Sequence, residues 1–139
     1  AHNLLVEDCT NIVLGPNNLD RNPRYAYGTS LDARNAVLLK GCEDCTISGL
    51  HVTQVHGASA GVVLENCRWM NVTDVAILDC ACPALILRGC EDCRLSGLMI
   101  RDQRDPDRED VVFIDDNCKR VRVVDDGLIR GEVRDRSPR

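Results

Sequence analysis

The sequence predicts an all-β chain wound as a right-handed parallel β-helix of about five coils, with about 23 residues in the basic coil. Three observations lead there. A unit ending in GVVLENCRWMNVTDVAIL recurs along the chain, its aliphatic residues alternate at period two, and turn-forming residues return at fixed offsets. A repeat of this length is the signature of a solenoid, and period two marks strands rather than helices.

The cysteines set the register. Taking Cys9, Cys42, Cys67, Cys90 and Cys118 as origins, the intervals are 33, 25, 23 and 28 residues. Ahead of these cysteines run two apolar columns, Leu4, Val37, Val62, Leu85 and then Val6, Leu39, Leu64, Leu87. Behind them run Ile12, Cys45, Met70, Cys93, Val121 and then Leu14, Ile47, Val72, Leu95, Val123. Further on, Leu50, Val75 and Leu98 align, followed by Val52, Ile77, Ile100 and Leu128. These columns are expected to face inward. With aromatics at 3%, the interior is aliphatic and thiol rather than ring-packed.

Bends separate the strands. Asp8, Gly41, Asn66, Gly89 and Asn117 stand immediately before the cysteines, and Pro16, Gly49, Asp74, Gly97 and Asp125 stand seven after them. Glycine, asparagine and aspartate tolerate the left-handed backbone that a sharp corner needs. Three short strands per coil follow, and parallel crossovers are overwhelmingly right-handed. The fifth unit carries one extra residue before its corner, so a bulge is expected near Asp115; a strict register would turn that carboxylate inward.

The units GVVLENCRWMNVTDVAIL and VLLKGCEDCTISGLHV resemble coils of the right-handed β-helix proteins of the pectin lyase-like superfamily, over Leu4 to Arg130. The C-terminal domain of tubulin-binding cofactor C also has cysteine-rich β-helical coils, although shorter ones. The superfamily resemblance implies an extracellular or periplasmic location and a substrate groove walled by loops. It implies, as one functional reading, the carbohydrate-binding part of a polysaccharide lyase or glycoside hydrolase, with an acidic polysaccharide as partner. The aspartate and histidine signatures of galacturonan hydrolases are absent, and so is the calcium and arginine pattern of pectate lyases.

The domain is expected to span 1–130, with an insert loop at 17–35, a second loop at 103–110 and a frayed tail at 131–139. The first residues already read as strand, so upstream coils are expected. The formal charge of -5 lacks the basic stripe that nucleic acid demands. No apolar run reaches the length of a membrane-spanning helix, and no nucleic-acid or membrane partner is expected.

Several motifs invite chemistry. The C-x-x-C pairs Cys42/Cys45 and Cys90/Cys93 have zinc-ligand spacing. A whole coil separates them, however, about 10 Å along the axis at ordinary strand separations, which is too far for one ion. A buried ladder of thiols acting as small hydrophobes is the expected reading, with Cys80 and Cys82 as the first places to look for a reactive thiol. Calcium at Glu43-Asp44 and Glu91-Asp92 is the weaker alternative to a simpler one. Neighbouring coils place Lys40, Arg68, Arg88, Lys119 and Arg120 beside those acids and beside Glu7 and Glu65, so the signs alternate between coils. No cofactor or metal is expected. His2, His51 and His56 have no readable partners.

Three places break the bland pattern. The outward column Leu5, Leu38, Val63 and Ile86 is aliphatic, which suggests a subunit interface or cover by the chain itself. The ends of a solenoid expose core residues and strand edges unless something covers them. The insert loop gathers Arg21, Arg24, Tyr25, Tyr27 and Arg34, suited to stacking on and forking around an acidic sugar. No catalytic constellation is identifiable. The expected function is a non-catalytic scaffold or binding module, self-associating through the aliphatic column or the ends as a homo-oligomer.

Overall fold

The computed structural model describes residues 2–19, 36–55, 60–80, 83–103 and 110–138. The first coil carries β1 (His2–Glu7), β2 (Val13–Leu14) and β3 (Asn17–Leu19). The second carries β4 (Ala36–Lys40), β5 (Thr46–Ser48) and β6 (Leu50–Thr53). The third has β7 (Val62–Glu65), β8 (Asn71–Thr73) and β9 (Ala76–Leu78), and the fourth β10 (Leu85–Arg88), β11 (Glu91–Ser96) and β12 (Met99–Arg101). Then come β13 (Val112–Ile114), β14 (Lys119–Val123) and β15 (Val133–Asp135).

Each strand pairs in parallel with its counterpart one coil away. The first sheet runs β1-β4-β7-β10-β13-β15, the second β14-β11-β8-β5-β2 and the third β12-β9-β6-β3. The chain is thus an all-β parallel solenoid with a coil spacing of about 25 residues, as between Val37 and Val62. The coil count differs slightly from five complete coils, because the sheets hold six, five and four strands. No helix of the described residues is long and apolar enough to cross a membrane.

The register follows the apolar columns. Leu4, Val37, Val62, Leu85 and Val112 lie in line across the first sheet, as do Val6, Leu39, Leu64, Leu87 and Ile114. From the second coil onward, the first-sheet members of these columns are at most 2% exposed. Burying a Leu or Val side chain fully is worth about 1.5–3 kcal/mol, and a slip of one residue would turn each strand's apolar set outward. That difference is what fixes the register.

The corners are built from left-handed residues. Asp8, Gly41, Asn66 and Gly89 have φ between 53° and 64°. A second left-handed column lies three residues on, at Asn11, Asp44, Trp69, Asp92 and Arg120, with φ between 52° and 58°. Between the two corners, Thr10, Glu43, Arg68 and Glu91 form isolated parallel bridges. The amides of Asn11, Asp44 and Trp69 then donate to the carbonyls of Glu43, Arg68 and Glu91 in the next coil. A left-handed turn after each of these bridges aims the next amide along the axis, where it meets a carbonyl of the following coil.

The expected bulge at Asp115 is a turn at Asp116 and Asn117, directly after it. The Asp115 amide donates to Leu87 O, and its carboxylate accepts from the amides of Gly89 and Asn117 and from the Cys118 thiol. The extra residue therefore keeps the carboxylate in a polar turn and lets Val112 and Ile114 fill the core, at 0% and 1% exposure.

Four expectations are corrected. The insert loop does not begin at Asn17, because Asn17–Leu19 are β3, paired with β6. Leu128 is not the inward residue: Ile129 bridges Ile100 and is buried, whereas Leu128 is 47% exposed. One more residue in the preceding corner shifts the face. Ile12 stands in an inward column but is 40% exposed, next to β2 at the edge of the second sheet. The tail is not frayed over 133–135; those residues are β15, held to β13 and tied by Arg134 to Asp110 at 2.7 Å. The Arg136 guanidinium also lies 5.9 Å from the Phe113 ring centre.

Candidate functional site

The aliphatic column is no exposed stripe. Leu5, Leu38, Val63, Ile86 and Phe113 are in register across the first sheet. Leu5 is 49% exposed, but Val63 and Ile86 are 6% and 5% exposed and pack with Ala60, Leu38 and Phe113 as a second small apolar cluster. Two of the four residues expected at an interface are therefore covered within one chain. Arg21, Arg24, Tyr25, Tyr27 and Arg34 lie outside the described residues, as do His56 and Cys82.

The thiols sit where the columns put them. Cys42, Cys45, Cys67, Cys90, Cys93 and Cys118 are free and at most 3% exposed. Each donates to backbone carbonyls: Cys67 to Leu39 O at 3.3 Å and Glu65 O at 3.4 Å, and Cys90 to Leu64 O at 3.5 Å and Arg88 O at 3.6 Å. Cys45 and Cys93 repeat the pattern on Glu43 O and Glu91 O, at 3.2 and 3.3 Å. The thiol thus acts as a small apolar side chain with one weak donor aimed at a corner carbonyl.

Cys80, one of the two first places to look for a reactive thiol, is 2% exposed, and its sulfur accepts from the Val55 amide at 3.5 Å. Burial pushes the Cys42 thiol up. Around Cys90 the thiols titrate as a group: Cys118, Cys67 and Cys93 raise Cys90, while contact with Cys90 lowers Cys67, Cys93 and Cys118. All of these cysteines are buried, at most 3% exposed. No group of three or more His, Cys, Asp or Glu side chains among the described residues is placed to hold a metal ion.

The acidic pairs are largely neutralised in the stack. Arg68 reaches Glu43 at 3.1 Å, and Arg120 forks onto Asp92 at 2.5 and 3.1 Å. The Arg120 guanidinium holds the Asp92 carboxyl below the usual carboxylate range. Glu7, Lys40, Glu65 and Arg88 line up in the first sheet with alternating sign. His51 is exposed on the third sheet between Asn18 and Ala76.

Two features stand out from this pattern. One is the first coil, where Leu4, Val6, Cys9, Leu14 and Leu19 are partly exposed although they belong to inward columns. The other is Trp69, 62% exposed in a column otherwise held by Asn, Asp and Arg. Its backbone is not legible in the sequence, because tryptophan does not announce a left-handed position.

The fold defines the chain as a parallel β-solenoid. Set against known protein families, curated proteins and solved structures, it finds no match.

Proposed function

We propose that the chain is a non-catalytic β-solenoid scaffold that self-associates through the open face of its first coil. The observation that carries this reading is the contrast within single columns. Val6 and Leu14 are partly exposed, whereas Leu39 and Ile47 one coil further are at 0% and 1%. The edges of β1, β2 and β3 face the same way, so apolar surface and unpaired backbone coincide there.

The opposite end also leaves apolar residues exposed, Val133 at 37% and Leu128 at 47%, but it carries a charge in an inward column. Asp135 in β15 takes the place in line with Ile114, and its carboxylate is engaged by the amide and hydroxyl of Ser137 at 2.9 and 2.5 Å. A charge in an inward column discourages further stacking. Association through one face only closes at a pair rather than growing into a fibre.

Within this scaffold the cysteines are read as a buried ladder that fills the corner between first and second sheets. Mass in solution, measured over a range of concentrations, tests the reading. A dimer that Leu14→Arg converts to a folded monomer supports it, and a monomer at all concentrations refutes it. The resemblance to pectin lyase-like coils supplies a second reading, an acidic-polysaccharide module of an extracellular lyase or hydrolase. It rests on Arg24 and Tyr25, and a screen of acidic oligosaccharides with Tyr25→Ala as control tests it.

A further inference from the structure

The left-handed column beside the first corner contains its own worked example of recognition. In the fourth and fifth coils Asp92 and Arg120 occupy successive places, and the guanidinium forks onto the carboxylate with both oxygens engaged. Two coils lower, Asp44 occupies the place of Asp92, but the next place holds Trp69 instead of an arginine. The Asp44 amide donates to Arg68 O at 3.1 Å, which fixes Asp44 and Trp69 on neighbouring rungs. Arg68 itself is committed to Glu43. Asp44 is exposed, and no ion pair among the described residues reaches it.

Trp69 gains nothing from the fold that explains its presence. A left-handed backbone is unfavourable for a bulky side chain, and an indole 62% exposed recovers little by packing. Of the acids on the flanking coils, Arg68 claims Glu43 and Arg120 claims Asp92, whereas no ion pair among the described residues reaches Asp44. An exposed indole one rung from a carboxylate that no ion pair among the described residues reaches suits a planar cation, which can stack on the ring and fork onto the acid together. Tryptophan and arginine are also the residues most enriched where binding energy concentrates at interfaces.

We propose that Trp69 and Asp44 form a docking point for an arginine side chain presented by a protein partner. The guanidinium takes, against Asp44, the place that Arg120 takes against Asp92. This surface lies on the side of the solenoid and does not depend on association through the first coil.

The chain has one tryptophan, so its fluorescence reports this site alone. Titration with tetra-arginine amide at low salt should give a saturable change in Trp69 emission. Tetra-lysine amide should bind several-fold more weakly, since an ammonium cannot stack or fork, and Asp44→Asn should abolish the response in a protein that melts as the parent does. An absent response, one that survives Asp44→Asn, or equal binding of the lysine peptide overturns the proposal. A second variant guards against a purely structural role. Trp69→Asn should melt at the same or a higher temperature, because asparagine tolerates the left-handed backbone, while calorimetry shows peptide binding lost. A lowered melting temperature would mark the indole as a packing residue and overturn the proposal. Failure here leaves the solution mass untouched, and a monomeric mass leaves this titration untouched.

Discussion

The side chain of Asn66 occupies the space that a β-carbon on Gly89 would need. Asp8 stands over Gly41 in the same way, and Asp74 over Gly97 at 2.6 Å from that position. The corner columns therefore alternate because each short polar side chain spreads over the bare backbone of the next coil. Glycine is required twice, for its φ and for its neighbour.

Gly89→Ala should accordingly destabilise the fold. The left-handed conformation, φ 60° at Gly89, costs an L-residue about 1–2 kcal/mol, and Asn66 must also swing away. Urea unfolding should show the midpoint fall, and adding Asn66→Gly should recover the steric part only. Gly15→Ala, with open space around the new methyl, should leave the midpoint nearly unchanged.

Gly61 has a different constraint. A β-carbon there would lie 2.9 Å from Ile77 Cγ2 and 3.0 Å from the Ala84 carbonyl. The carbonyl cannot rotate aside, because it accepts the Val62 amide. Gly61→Ala should cost about 1–3 kcal/mol as an overpacked site, read as a lowered urea midpoint with an unchanged slope.

Core truncation should depend strongly on the coil. Leu64→Ala, at a residue with 0% exposure, should cost about 2–5 kcal/mol. Leu5→Ala, in the half-exposed outward position of the first coil, should stay within about 0.5 kcal/mol. Thermal melts of the two variants side by side test this gradient.

Thiol labelling should follow the same gradient. Cys9 is partly exposed and, in protein diluted to the monomer, should react first among the described thiols with a small disulfide reagent. Cys42, Cys67 and Cys90, each at most 2% exposed, should be protected about 1,000-fold or more, because labelling waits for opening of a marginally stable domain. Peptide mapping of the labelled protein identifies which sulfur reacted.

The Asp92 carboxyl should titrate below the usual carboxylate range, chiefly through its hydrogen bonds from Arg120. Because the folded value is depressed, this pair stabilises the fold at neutral pH, and its contribution is lost as the pH falls through the folded value. Carboxyl NMR titration should show the depression vanish in Arg120→Ala.

Much of this architecture was legible because the columns are redundant. Leu39, Leu64 and Leu87 say the same thing three times, and Asn66 between Gly41 and Gly89 marks a corner wherever the chain meets it. The extra residue at Asp115 was readable for the same reason, as a departure from a known spacing. The corner at Trp69 and Arg120 was not, since neither side chain favours the conformation and the stack imposes it. Nor was β15, whose sequence Val133-Arg134-Asp135 has little strand character and takes its geometry from β13. The burial of Val63 and Ile86 was left open between a subunit interface and cover by the chain itself, because the alternation of a strand does not say what meets its outer face. For the candidate site, the sequence marked the acids beside Trp69 correctly as charge partners of Arg68 and Arg120. What it could not reveal was that Asp44 has no such partner among the described residues.

The parallel register has a mechanical consequence. The principal contacts of every strand are with its counterparts one coil before and one coil after, so the molecule behaves as a row of coupled links. A defect in the third coil, such as a lost Leu64, would therefore not soften the whole body evenly. It would separate two shorter stacks, each able to unwind from its new end. The middle of the chain is where a single lesion does the most damage, and the outermost coils can open and close without disturbing the rest.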